Sequence, residues 1–365
     1  MDKLTVDKKT VAGQIESRFR QVVSNDAKVK NAYLLVRSDN CDIDMNLAEG
    51  GTETSAANPA QPHYMASVGK LFTATIVAIL HERGELSFDH SIARYLDDEL
   101  MHRLHVFRGT EYSTLITVRH LLQQSSGLAD VFWPLLKELR ANPRPITPRD
   151  AIIWGKNHLE AAEIPGVRHV YTDTNYYLLG LIVEKITGRP FHEALHGLIF
   201  DPLEMKHACM QGFSKPALPS EYPTAGYAVN GFDPTTLEFF HQIDYAGGGV
   251  VATSEEYATF LQALTGCRLI GKETLKKMVD DDLRMGFPLV GFRYGYAIWK
   301  LTTVPLFMPG KFNSWGCTGV TGSLLWYHPK TESHIVINFN DISWQTKGLR
   351  YMLSSVINPL LRCRG

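Results

Sequence analysis

A serine and a lysine stand three residues apart in Ser67-Val68-Gly69-Lys70, at the head of a run, Leu71 to Leu80, that is apolar except for two threonines. In a helix, positions i and i+3 share a face, so this spacing sets a hydroxyl beside an amine. An amine so placed is one way to activate a serine nucleophile. The spacing alone is common, and a helix with a polar face and a solvated lysine is the competing reading. Two distant segments supply what such a pair needs. Tyr171-Thr172-Asp173-Thr174-Asn175 places a tyrosine just before an apolar helix, and a phenol near a serine and a lysine can take or return a proton. Trp315-Gly316-Cys317-Thr318-Gly319-Val320-Thr321-Gly322 leads into a strand. Its glycines let a substrate approach the backbone closely, and an edge strand there offers N–H groups to an oxyanion.

The elements that must position these residues are legible in outline. Val11, Ile15, Phe19, Val22 and Val23 recur at helical spacing. Ala32–Val36 and Ile43–Leu47 are strand candidates. The Ser67 helix runs to about Arg83, with Gly84 just beyond its end. Thr117 is an N-cap before Val118–Gln123, and Thr147-Pro148-Arg149-Asp150 reads as cap, first-turn proline and acidic first turn. Tyr176–Thr187 is an apolar helix closed by Gly188. After Gly247-Gly248-Gly249 and a helix near Glu255–Leu264 come strands at Tyr294–Leu301, Ser323–Tyr327 and Ile335–Asn340, then an amphipathic helix from Leu349 to Leu360. Strands at both ends with helices between predict an α/β (α+β) architecture. Residues 1–85 plus 245–365 form a sheet domain, and 86–244 a mostly helical inserted domain. The Ser67 helix falls near their junction, where ligand clefts favour forming.

Bulk composition narrows the function. The 365 residues are 44% hydrophobic and 21% charged with a formal net charge of −1, which argues against nucleic-acid or polybasic membrane binding. The polar N-terminus lacks a signal-peptide pattern, and Leu71–Leu80 is about half the length a bilayer requires. Five widely spaced cysteines without C-x-x-C fit thiols in a reducing compartment. The expected location is the cytoplasm. No cofactor is called for. His102 and His105 lie at i, i+3 without a third ligand nearby, so a solvated helix face is expected rather than a metal site. Gly247–Gly249 lacks a phosphate-loop context and reads as close backbone packing.

Taken together, these residues resemble the serine β-lactamase and penicillin-binding-protein superfamily, for which S-x-x-K is a known signature. The likeness is to the class C β-lactamase-like branch of D-alanyl-D-alanine carboxypeptidases, D-aminopeptidases and β-lactamase-fold esterases. Leu121–Leu128 looks like the branch's "LLTHTSGL" segment, Phe200–Met205 like its "I-x-x-PLGM" segment, and Ala246–Ser254 like its "AGGG-x-x-ST" stretch. The likeness extends from about residue 30 to 345, in the expected order. It implies a β-lactamase/transpeptidase-like antiparallel sheet flanked by helices. It further implies Ser67 as the acylated nucleophile, Lys70 beside it, Tyr171 in the place of the tyrosine of Y-x-N, and the backbone N–H groups of Ser67 and Val320 as the oxyanion hole. Asp173, Cys317, Thr318 and Gly319 fall at supporting or substrate-binding positions.

Two positions depart from the family's pattern. Asp173 stands where many relatives carry asparagine, and Cys317 where β-lactamases carry lysine and many peptidases histidine. That cation binds the substrate carboxylate in those relatives, and a neutral thiol cannot. The leading expectation is therefore an enzyme that hydrolyses small carboxylic esters through an acyl-Ser67 intermediate. Alternatives are a D-amino-acid amidase or peptidase, a weak β-lactamase, an acyltransferase using the same intermediate, and a scaffold with a silent site. The expected partner is a small ester or amide, with the oligomeric state open. Asp173 is expected to keep Lys70 cationic, with Lys70 supporting a tyrosinate-like Tyr171 that takes the Ser67 proton; a carboxylate nearer to Tyr171 would oppose this. Of Phe132, Trp133, Tyr176, Tyr177, Phe287, Phe292 and Tyr294, one or two are expected to touch substrate and the rest to be core.

Overall fold

The apolar runs near the two ends of the chain pair into one sheet. The structure, a computed structural model, describes residues 7–51, 55–229, 231–237, 239–286, 289–304 and 308–363. Asn31–Ser38 (β1) and Ile43–Gly50 (β2) form an antiparallel hairpin with Ser38 opposite Ile43. The C-terminal part supplies β3 (Leu283–Arg284), β4 (Phe292–Tyr294), β5 (Trp299–Leu301), β6 (Ser314–Gly319), β7 (Ser323–His328) and β8 (Ser333–Asn338). The order is β2-β1-β8-β7-β6-β5-β4-β3, antiparallel throughout. Tyr33 pairs with Asn338, so the first and last strands are direct neighbours, second and third from one edge of the sheet. The stretch Tyr294–Leu301, expected as one strand, is two: the chain reverses between β4 and β5 through Ala297 at φ +60°.

Alternate residues of the central strands face opposite layers, as a period of two requires. Leu34, Val36, Trp326, Ile335 and Ile337 pack under α1 (Lys8–Asn25) and the C-terminal helical run Gln345–Leu360. Leu35, Leu325 and Val336 join the larger core on the other face. That core holds α2 (Gly69–Glu82), α3 (Thr174–Thr187), α4 (Phe240–Gly248) and α5 (Ser254–Thr265). A small sheet of His63–Tyr64, Val250–Ala252 and Cys209–Met210 sits just ahead of α2.

Local chemistry fixes the helix ends. Thr117 with His120, Thr147 with Asp150, and Thr253 with Glu256 each form reciprocal capping boxes. Gly188 closes α3 in the left-handed conformation at φ +66°. Among the described residues no helix is long and apolar enough to cross a membrane.

Candidate active site

Ser67 lies in the short helical turn Ala66–Val68, which runs directly into α2. Ala66 holds φ +50°, a conformation that non-glycine residues rarely adopt. Every residue of α2 from Gly69 to Leu80 is buried, Lys70 included at 0% exposure. The Lys70 Nζ donates to Ser67 Oγ at 3.1 Å, to the Gly247 carbonyl at 2.8 Å and to the Asp173 carboxylate. It also lies 5.2 Å from the ring centre of Tyr171 and 5.3 Å from that of Tyr176. Burial works against the ammonium charge, but Asp173, and then Tyr171, outweigh it, so the Lys70 pKa stands above its ordinary value. Lys70 is a cation.

Tyr171 is held by the segment 121–128. The Gln124 carbonyl accepts the Val170 N–H at 2.7 Å, and Gln124 Oε1 accepts from Thr172 N at 3.1 Å and Asn175 Nδ2 at 2.6 Å. Ser126 donates to Asn175 Oδ1 at 2.6 Å. So held, the Tyr171 side chain lies close enough to Ser67 and Lys70 to interact with both. Burial raises its pKa, Lys70 opposes the rise and Asp173 adds to it, with a net movement well upward. The direction favours a neutral phenol at rest over the tyrosinate-like Tyr171 expected from sequence. Asp173 neutralises Lys70 and at the same time repels a phenolate.

From the other side comes β6. Its pairing with β5 ends at Gly316, so Cys317, Thr318 and Gly319 have a free edge beside the Ser67 turn. A Cβ on Gly319 would lie 2.2 Å from the Met65 carbonyl, so only glycine permits this approach. Neither the Ser67 nor the Val320 amide donates to a described residue, and both residues line the same cleft. The Cys317 side chain, in contrast, is buried beneath the turn and donates to the Ser67 carbonyl at 3.2 Å. Burial pushes its thiol up to about 12, against the pull of Lys70.

The cleft has a volume of about 490 Å³ and is lined by Ser67, Tyr171, Asp173, Thr318, Gly319 and Val320, among others. Phe132 and Trp133 also line it, whereas Tyr176, Tyr177 and Tyr294 are buried in the core and Phe287 lies outside the described residues. Sequence reasoning missed two acids. Asp130 accepts the Asp173 N–H at 2.9 Å, and burial followed by the Asp173 charge pushes it up to about 6. Asp244 lines the cleft at 7% exposure and accepts from the Tyr64 hydroxyl at 2.8 Å. The available signal for Asp244 was its place two residues before Ala246–Ser254. His105 is not on a solvated face: it is buried, with Nε2 2.8 Å from the Glu163 carbonyl. Among the described residues no cluster of side chains could hold a metal. Gly248 packs so closely on α2 that a Cβ on Gly69 would meet its backbone at 2.8 Å.

Comparison with known proteins follows this geometry. A family model described as Beta-lactamase matches residues 21–350. The Bacillus subtilis (strain 168) protein PbpX is 27% identical over 228 residues, which is 60% of this chain and 51% of PbpX. The chain thus spans about half the length of that relative. The D-amino acid amidase from Ochrobactrum anthropi SV3, solved with D-phenylalanine, superposes with a TM-score of 0.79 at 21% identity, covering 96% of this chain and 99% of that one. EstCE1, described as a hydrolase with promiscuous acyltransferase activity, superposes with a TM-score of 0.74 at 15% identity, covering 97% and 98%. At these identities the structural likeness speaks for the β-lactamase/transpeptidase fold.

Proposed function

This chain belongs to the Beta-lactamase family, and from that premise we propose that it is a serine hydrolase of small carboxylic esters acting through an acyl-Ser67 intermediate. The observation that carries the reading is the contact of Lys70 Nζ with Ser67 Oγ at 3.1 Å, with Tyr171 beside both in the same cleft. The cleft draws Ser67 and Thr318 from the proposed sheet domain, 1–85 with 245–365, and Tyr171 and Asp173 from the proposed helical domain, 86–244. A junction of this kind suits substrate entry.

In this mechanism Ser67 Oγ attacks the ester carbonyl, and the Ser67 and Val320 N–H groups receive the oxyanion. The Ser67 proton passes to the Tyr171 oxygen while the phenol's own proton passes to the departing alkoxide. This relay requires no ionised tyrosine at rest. Cationic Lys70 stabilises the negative charge that gathers on both oxygens during transfer. Water then repeats the sequence in reverse and releases the acid. Cys317, neutral and turned beneath the turn, braces the Ser67 carbonyl. The absence of a cation at that position supports esters over substrates that carry a free carboxylate.

The test is hydrolysis of p-nitrophenyl acetate and butyrate by wild type and Ser67→Ala, with a fluorophosphonate probe to mark the nucleophile. The expected result is labelling at Ser67 and a loss of at least about a thousandfold in Ser67→Ala. Equal turnover by the variant, or an unlabelled wild type, overturns the proposal. Including D-phenylalanine amide and an alcohol acceptor in the same assay separates ester hydrolysis from the amidase and acyltransferase readings.

A further inference from the structure

We infer that Asp244 makes the cleft selective for esters or amides bearing a primary ammonium close to the scissile carbonyl, as in an amino-acyl substrate. The inference rests on the hydrolase reading above and adds the substrate class to it. Its basis is the charge inventory of the cleft. Two carboxylates line it, Asp173 and Asp244. Asp173 is neutralised by Lys70. Arg168, the cation on the rim, pairs with Glu163 at 2.8 Å and is 60% exposed. His169 is pushed down to about 4 by burial and is neutral at pH 7. Cys317 supplies no charge. Asp244 is the acid left without a cation among these groups.

Its placement suits a ligand. One oxygen, Oδ2, accepts from Tyr64, whose ring stacks on Tyr227 at 4.6 Å and so fixes the carboxylate. The other, Oδ1, receives no hydrogen bond from a described residue, and Asp244 lines the cleft. A Cβ on Gly248 would fall 2.4 Å from Oδ1, so the glycine keeps that oxygen clear. The next residue, Tyr245, is held at φ 34°, ψ −130°, a strained backbone that sets where Asp244 stands. Burial, more than any neighbour, pushes Asp244 up to about 7, with Tyr64 and Lys70 pulling down and Asp173 pushing up. Those three groups, Tyr227 and Tyr177 are the titratable neighbours that interact with it electrostatically. An arriving ammonium would favour the ionised form and form a charge-assisted hydrogen bond.

The experiment compares alanine benzyl ester, both enantiomers, with benzyl propionate, which differs only by the amine. Wild type is expected to favour the amine in kcat/KM by roughly tenfold to a hundredfold, the range of a charge-assisted hydrogen bond. The preference should rise as pH brings Asp244 through about 7 and fall again above about 8, where the substrate's own ammonium loses its proton, and propylammonium should compete with benzyl propionate. In Asp244→Asn the ratio should fall to near one and lose its pH dependence. Hydrolysis of both esters by wild type without preference, and without inhibition by propylammonium, overturns the inference while leaving the hydrolase reading intact. Failure to hydrolyse either ester counts against the hydrolase reading instead.

Discussion

Asp173→Asn probes the electrostatics of the proposed catalytic group most directly. The substitution keeps the side chain's size and an oxygen that can accept from Lys70, and removes one negative charge. Lys70 is fully buried and the Asp173 side chain 15% exposed, so the pair is only weakly screened. At an effective dielectric near 20, unit charges about 4 Å apart attract by about 4 kcal/mol. The amide dipole, the Gly247 carbonyl and the partial exposure of Asp173 restore some of this, leaving a loss of roughly 2–3 kcal/mol. For a chain of this length that is a Tm lower by roughly 3–4 °C. The sign against pH follows from Lys70, whose folded pKa lies above its unfolded value. Its contribution is complete below the unfolded pKa and disappears only as pH rises through the folded one. The Tm deficit should therefore be full at pH 6 to 9. With Asp173 gone, burial acts on Lys70 with less opposition, its pKa moves down, and the alkaline limb of the ester rate profile moves to lower pH. Calorimetry and a pH–rate profile on p-nitrophenyl butyrate measure both effects. A variant whose Tm and pH profile match wild type would show that the ion pair has no electrostatic role, and the reasoning would be wrong.

Tyr171→Phe should lower kcat by roughly 10²- to 10⁴-fold with little change in KM, because the relay is lost while the ring remains; a kcat within threefold of wild type excludes Tyr171 from proton transfer. Iodoacetamide at pH 8 should leave Cys317 unmodified and the activity intact, since the thiol is buried and pushed up to about 12; inactivation that tracks alkylation of Cys317 in a mass spectrum refutes this. Gly319→Ala should cripple ester turnover and lower Tm, because its Cβ would lie 2.2 Å from the Met65 carbonyl; a fully active variant shows that β6 can retreat from the Ser67 turn without consequence. Asp244→Asn should gain stability over wild type between pH 5 and 8, because an acid raised to about 7 when folded binds more protons than when unfolded and weakens the fold as pH rises. Thermal melts at the two pH values check it, and an equal Tm difference at both refutes it.

The fold was legible where a few adjacent residues decide the outcome. Thr117, Thr147 and Gly188 cap helices as their side chains and φ preferences dictate, and the 323–338 hairpin follows from apolar strands around a turn. The stretch Tyr294–Leu301 misled because its turn contains Tyr296, Ala297 and Ile298, all buried and apolar or aromatic. There the reversal is held by the Gly295 N–H bonding the Ile298 carbonyl at 2.8 Å and by packing, and a lone glycine inside an apolar run gives little turn signal. The two-residue strands at His63–Tyr64 and Cys209–Met210 are too short for any periodicity to register.

The site divides along the same physical line. Ser67 and Lys70 are neighbours because one helical turn makes them so, which spacing alone predicts. Tyr171 reaches them only through Gln124 and the core beneath, and sequence pointed to it by resemblance rather than by geometry. The protonation states lay further from view. Asp130 and Asp244 are 114 positions apart, yet both act electrostatically on the Lys70–Asp173 pair. Whether a phenol beside a lysine is ionised depends on the sum of such charges and on burial, neither of which is a property of neighbouring letters. Spacing therefore identified which atoms stand together, and the distant acids decide which of them holds the proton. That is why the upward shift at Tyr171 favours a neutral phenol over a resting tyrosinate, and why proton relay, rather than a preformed phenolate base, is the mechanism proposed.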